Sequence, residues 1–167
     1  MPPMLKCISD LTGALEWTPV PLLLVTLFVV VADQATKYAV GKLVAPHDVI
    51  PCFGGLVRIT NVRNYGAAFG ILQNKQVVFM AATVLVVLLG LFFLPRFPSR
   101  NWQARLGIAL GIGGALGNFV DRVRFGSVFD FIEVSLWPVF NLADSAIVIG
   151  VALLMLGVLC HPGLKEE

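Results

Sequence analysis

The sequence predicts an all-α membrane protein, four transmembrane helices with a small β-rich cradle between the first two. Three observations carry that expectation. The 167 residues are 57% hydrophobic and 13% charged, with a mean hydropathy of +0.87, whereas soluble chains carry about 25% charged residues. Four apolar stretches approach the ~20 residues a spanning helix needs. The polar residues inside those stretches gather at one end of the set. Disorder is excluded by the abundance of Val, Leu and Phe beside a net charge of only +2. The small charge, with no Lys/Arg run, also speaks against a nucleic-acid partner.

The first span runs from about residue 20 to 40 and is uncharged until Asp33 and Lys37. Its polar lead contains Asp10 and Glu16, and no small-residue cleavage site follows the apolar run, so it reads as a retained span. The second, residues 77–94, has no charge at all. The third, about 104–122, is short and glycine-rich, with Asp121 and Arg122 at its interfacial end. The fourth, about 139–160, contains the single charge Asp144, and Pro138 just before it suits a helix start. All of this is expected to form one domain over residues 1–167.

The connection 41–76 is too long for a tight turn. Within it Leu56-Val57-Arg58-Ile59-Thr60-Asn61-Val62 alternates and is β-branched, between Gly54-Gly55 and Gly66. That predicts one or two short strands on the membrane surface. The connection 95–104 carries Arg96 and Arg100, which favours a cytoplasmic position for it and for both termini. Cys7, Cys52 and Cys160 stand far apart with no CxxC, so they read as small apolar residues.

Ionisable groups at membrane depth mark function or an internal pair. In an up-down-up-down arrangement the end of span one, the start of two, the end of three and the start of four share a leaflet. That places Asp33, Lys37, Asn64, Asn118, Asp121, Arg122, Asn141 and Asp144 on one side. Asp33 and Lys37 are spaced i, i+4 and can pair. Gly107, Gly111, Gly113, Gly114 and Gly117 include two GxxxG spacings, which suit close helix packing. Asp130, in Phe129-Asp130-Phe131, lies between spans three and four, and its carboxylate can approach that of Asp144 across a short loop and a helix start. Two carboxylates sharing a site titrate apart, so that one takes a proton from water while the other polarises a carbonyl. A surface aspartate plus a buried structural one is the plainer alternative. Neither His47 nor His161 lies beside a motif.

The motifs, in order, are Asp33-Gln34-x-x-Lys37, Asn64-Tyr65-Gly66-Ala67-Ala68-Phe69, Gly113-Gly114-x-x-Gly117-Asn118-x-x-Asp121-Arg122, Val128-x-Asp130-Phe131 and Phe140-Asn141-x-Ala143-Asp144-Ser145. Together they resemble the bacterial lipoprotein signal peptidases. The resemblance implies an aspartic endopeptidase of the bacterial cytoplasmic (inner) membrane, with a β-rich extracytoplasmic cradle and its active site at the outer leaflet. Its substrates would be diacylglyceryl-modified prolipoproteins, cut just before the lipidated cysteine. It implies Asp130 and Asp144 as the catalytic pair, with Asn64, Gly66, Asn118, Arg122 and Asn141 at the substrate and Asp33, Lys37 and Asp121 in support. No metal, cofactor or nucleic acid is expected, and the chain is expected to act as a monomer among membrane lipids. Tyr65 departs from the family pattern, where a small residue is usual; residues 1–18 lie outside the resemblance.

Two rivals differ in kind. A proton-coupled transporter would place its polar groups near the midplane, and an assembly protein held by the glycine faces would leave the polar convergence unexplained.

Overall fold

The computed structural model describes residues 19–46, 48–66, 75–98 and 101–160. Among these described residues, four helices are long and apolar enough to cross a membrane. They are α1 (Pro19–Leu43), α2 (Gln76–Phe93), α3 (Trp102–Phe125) and α4 (Leu142–Cys160). This is a multi-pass membrane protein. Its strands are β1 (Val49–Cys52), β2 (Val57–Asn64) and β3 (Val128–Val134), in one antiparallel sheet of order β1-β2-β3.

Helix α3 is the central one, and its small residues are the reason. A Cβ added at Gly114 would fall 2.3 Å from the Ala143 carbonyl oxygen of α4, and one at Gly113 would fall 2.8 Å from Val29 of α1. Bare backbone on α3 thus lets both neighbours approach closely, the usual device where lipid supplies no hydrophobic drive between helices. Helix α2, by contrast, presents Val77, Val84, Leu85, Leu88 and Leu91 outward. At the end of α3 opposite the sheet, the buried Asn101 caps the helix through Ala104 N–H (3.2 Å) and donates to the Gly157 carbonyl of α4 (3.1 Å).

The structure refines the sequence expectations at three places. The sheet is not confined to the connection between the first two spans, because β3 comes from the connection between the third and fourth. Asp130 accordingly lies on a strand. The fourth helix starts at Leu142, since Phe140 is still extended and bridges Ile132. At the other junction α3 runs past Asp121 and Arg122 to Phe125 and ends on Gly126, whose φ of 67° gives the left-handed cap that glycine adopts without penalty. Motif residues Ala67, Ala68 and Phe69, the lead 1–18, and His47, Ser99, Arg100 and His161 lie outside the described residues.

Candidate active site

The sheet delivers one carboxylate and α4 the other. Along β2 the register shifts between Ile59, opposite Ile132, and Val62, opposite Asp130. Three steps on β2 therefore match two on β3, a bulge of one residue. Because side chains alternate, that extra residue transfers Asn64 to the face of Asp130, where it becomes the diagonal neighbour. Asn64 Nδ2 donates to Asp130 Oδ2 at 2.9 Å, and Asn64 Oδ1 accepts the Gly66 N–H at 2.9 Å.

Asp144 sits in the first turn of α4, locked by a reciprocal cap. Its N–H donates to Asn141 Oδ1 (2.9 Å) while its Oδ2 accepts the Asn141 N–H (3.2 Å). The fully buried Asn141 is the hub between the two aspartates. Its Nδ2 donates to Asp130 Oδ1 at 2.7 Å and to Asn118 Oδ1 at 3.0 Å. Asn118 Nδ2 in turn donates to Asp144 Oδ1 at 2.7 Å. Each carboxylate is thus one hydrogen bond from Asn141, and their side-chain donors are neutral amides. Burial, and next the neighbouring charge of Asp144, push the Asp130 carboxyl up to about 7.

Next to this pair lies a second cluster. Lys37 Nζ reaches Asp33 Oδ2 (2.9 Å), Asp121 Oδ2 (3.0 Å) and Asn118 Oδ1 (2.9 Å), which uses all three ammonium donors. Asp33 Oδ1 also accepts the Ala143 N–H of α4 (3.0 Å), and Asp121 Oδ2 accepts the Phe129 N–H of β3 (3.0 Å). The cluster therefore ties α1, α3, α4 and the sheet together, and it turns the Asn118 amide so that its NH2 faces Asp144. The i, i+4 pair expected between Asp33 and Lys37 is present, with Asp121 as a third member.

A groove of about 390 Å³ opens beside the two aspartates, lined by Asn64, Gly66, Asn118, Arg122, Asp130 and Asp144 on its polar side. Phe79, Thr83 and Val86 of α2, Ile147 and Val148 of α4, and Trp137 to Phe140 form its apolar wall. The Arg122 guanidinium lies over the Phe79 ring, 4.6 Å from the centroid, and has no ion pair among the described residues. The structure brings together every site residue named from the sequence. It adds Gln34, whose Nε2 donates to Asp121 Oδ1 (2.9 Å) and the Gly117 carbonyl (3.1 Å). The position of Gln34 within the first motif was a signal for it; nothing in the sequence marked Phe79 or Trp137.

Residues 25–160 match the family model described as signal peptidase (SPase) II. The lipoprotein signal peptidase of Moorella thermoacetica is 47% identical over 134 residues, 80% of this chain and 89% of that protein. One from Staphylococcus aureus is 38% identical over 152 residues, 87% of this chain and 91% of that one. A bacterial membrane enzyme solved by the in meso method at 2.3 Å resolution superposes with a TM-score of 0.79 at 36% identity, covering 88% of this chain and 92% of its own. The chain belongs to the signal peptidase II family.

Proposed function

We propose that Asp130 and Asp144 are the catalytic pair of an aspartic endopeptidase that removes signal peptides from diacylglyceryl-modified prolipoproteins, cutting just before the lipidated cysteine. The observation that carries this reading is the Asn141 bridge, which holds the buried Asp130 carboxylate and the half-buried Asp144 carboxylate together without a cation between them. Two like charges so placed share one proton near neutrality. Asp130, pushed up to about 7, is placed to hold it.

The chemistry then needs only a water molecule between the two carboxyl groups. The ionised Asp144 takes a proton from that water as its oxygen attacks the scissile carbonyl carbon. Asp130 gives its proton to the carbonyl oxygen. When the tetrahedral species collapses, the C–N bond breaks and the proton on Asp144 passes to the departing amine, while Asp130 recovers its own. Asn64, Asn118 and Asn141 fix the carboxylates. Arg122, over the Phe79 ring at the groove, offers a fork of donors to a peptide carbonyl or a lipid oxygen. Gly66 leaves room for substrate backbone.

Residues 1–167 act as one domain and as a monomer among membrane lipids, in the cytoplasmic (inner) membrane, with both termini and the 95–104 connection cytoplasmic and the groove at the outer leaflet. A substrate anchored by its lipid presents its scissile bond at that depth. Two measurements test the reading. Purified protein should cut a lipobox peptide carrying diacylglycerol and leave the unlipidated peptide intact; equal cutting of both would remove the substrate assignment. A reporter fused after Ser99 should behave as cytoplasmic and one inserted near Pro46 as external, and the reverse would overturn the orientation.

A further inference from the structure

Among the described residues, two that are not glycine have positive φ, Phe53 at 49° and Leu136 at 67°. For bulky side chains that conformation is an outlier, and it persists where surroundings or function require it. The sheet brings the two together. Cys52 pairs with Val57 and Val57 with Val134, so the turn after β1 and the chain leaving β3 emerge at the same end. Both side chains point away from the protein, Phe53 at 83% and Leu136 at 102% exposure, beside Leu56 at 74% and Trp137 at 62%. Gly54 and Gly55 already supply positive φ in the first turn, so the reversal of the chain does not itself call for a phenylalanine. One residue pair behind this apolar end, Arg58 and Glu133 stand opposite each other and form an ion pair.

We propose that the sheet tip formed by Phe53, Leu56, Leu136 and Trp137 inserts into the bilayer leaflet on the active-site side and anchors the sheet to lipid. The surroundings of the tip identify the occupant. Trp137, Pro138 and Val139 line the same groove wall as Phe79 and Thr83 of α2 and Val148 of α4. Val148 lies six residues into a membrane-spanning helix, so Trp137, at one edge of the tip, stands beside the spans. Apolar and aromatic side chains at that level, with a charged collar behind them, are distributed as in interfacial membrane anchors. The sheet carries Asp130 and Asn64, so such an anchor sets the height of the candidate site over the leaflet. The inference rests on the four spans and not on the proposed reaction.

The test uses the fluorescence of Trp137 in the full-length protein, with Trp17→Phe and Trp102→Phe leaving it the single tryptophan. In phosphatidylcholine vesicles its emission should be blue-shifted, quenched by lipid brominated high on the acyl chain and shielded from aqueous iodide. Leu136→Gly separates anchoring from folding, because glycine takes positive φ freely. It should keep or raise the melting temperature in detergent while reducing the bromolipid quenching of Trp137. Red-shifted emission open to iodide in lipid-only vesicles would overturn the proposal. So would shielding that develops only when a lipidated peptide or another protein is added, which would make the tip a protein contact. Bromolipid quenching unchanged by both Leu136→Gly and Phe53→Ser would also refute it.

Discussion

Two pairs of aspartates lie side by side in this molecule, Asp33, Asp121 and Asp130 buried and Asp144 half-buried, and they differ in what neutralises them. Asp33 and Asp121 share the Lys37 ammonium at 2.9 and 3.0 Å and accept backbone N–H groups besides. Asp130 and Asp144 accept from neutral amides and a backbone N–H, and make no ion pair among the described residues. Burial therefore does not set Asp130 apart from Asp33 and Asp121. The first pair is compensated by Lys37, whose donors are all spent, which fixes its geometry. In the second, no cation among the described residues offsets the carboxylates, and a groove opens beside them. The amide of Asn118 joins the pairs, receiving from Lys37 and giving to Asp144.

The largest expected effect comes from removing a charge on the uncompensated side. Asp130→Asn and Asp144→Asn should each lower turnover of a diacylglyceryl peptide by ~10³-fold or more, the scale of a lost general acid or base. The protein should stay folded and able to bind substrate. Because the two act as a unit, the double variant should be scarcely worse than either single one. Substantial turnover in a single variant, measured on correctly lipidated substrate, would dissolve the contrast between the pairs.

The compensated side should fail in the opposite sense, in folding before chemistry. Lys37→Met leaves two carboxylates buried without their cation, a change that costs about 3–5 kcal/mol. Folded protein recovered in detergent should fall steeply, and neutralising the partners as well, with Asp33→Asn and Asp121→Asn, should recover much of it. Asp33→Asn alone should lower thermal stability more than the turnover of the fraction that folds. A stable Asp33→Asn protein with no turnover would move Asp33 into the reactive pair.

Much of this contrast was legible in the sequence, for a definite reason. Spans are long and apolar, so their ends are readable, and polar residues at alternating ends converge by topology alone. That is how Asp33, Lys37, Asn118, Asp121, Asn141 and Asp144 could be placed on one side. The sheet was less legible. Val128–Val134 alternates, with Phe129 and Phe131 stacked on one face and Asp130 on the other, yet its partner strand lies some sixty residues earlier and no local signal names it. The one-residue bulge that turns Asn64 toward Asp130 is likewise a property of the pairing and not of either strand. The sequence also suggests an i, i+4 pair for Lys37 but cannot count its partners, and the third, Asn118, is what links the two clusters.

Removing the bridge should have an intermediate effect. Asn141→Ala takes away the donor to Asp130 and the side-chain half of the α4 cap. Lost caps cost ~1 kcal/mol, so the protein should fold, with a modestly lower melting temperature. Turnover should fall by roughly 10- to 100-fold, as when a partner that holds a reactive group is removed, with kcat changing more than KM. A fall confined to KM would make Asn141 a substrate contact and not a bridge.

The smallest expected effect is also the most direct reading of the missing cation. The Asp130 carboxyl is pushed up to about 7 from 3.8 by burial and by Asp144. Its protonated fraction therefore falls about tenfold between pH 6 and pH 8, and turnover limited by that proton should fall by a similar factor over the same interval. The sign for stability follows from the same shift. A folded pKa above the unfolded value favours folding below pH ~4, and that contribution is lost as pH rises through about 7. Asp130→Asn has no such titration, so its melting temperature relative to the unaltered protein should rise between pH 5 and pH 8. The corresponding change should not exceed ~4 kcal/mol, about three pKa units at 1.36 kcal/mol each. Asp33→Asn keeps Asp130 and should give no comparable slope relative to the unaltered protein over that interval. Equal slopes in the two variants would mean that the pH dependence does not belong to Asp130, and the distinction between a compensated and an uncompensated pair would fall.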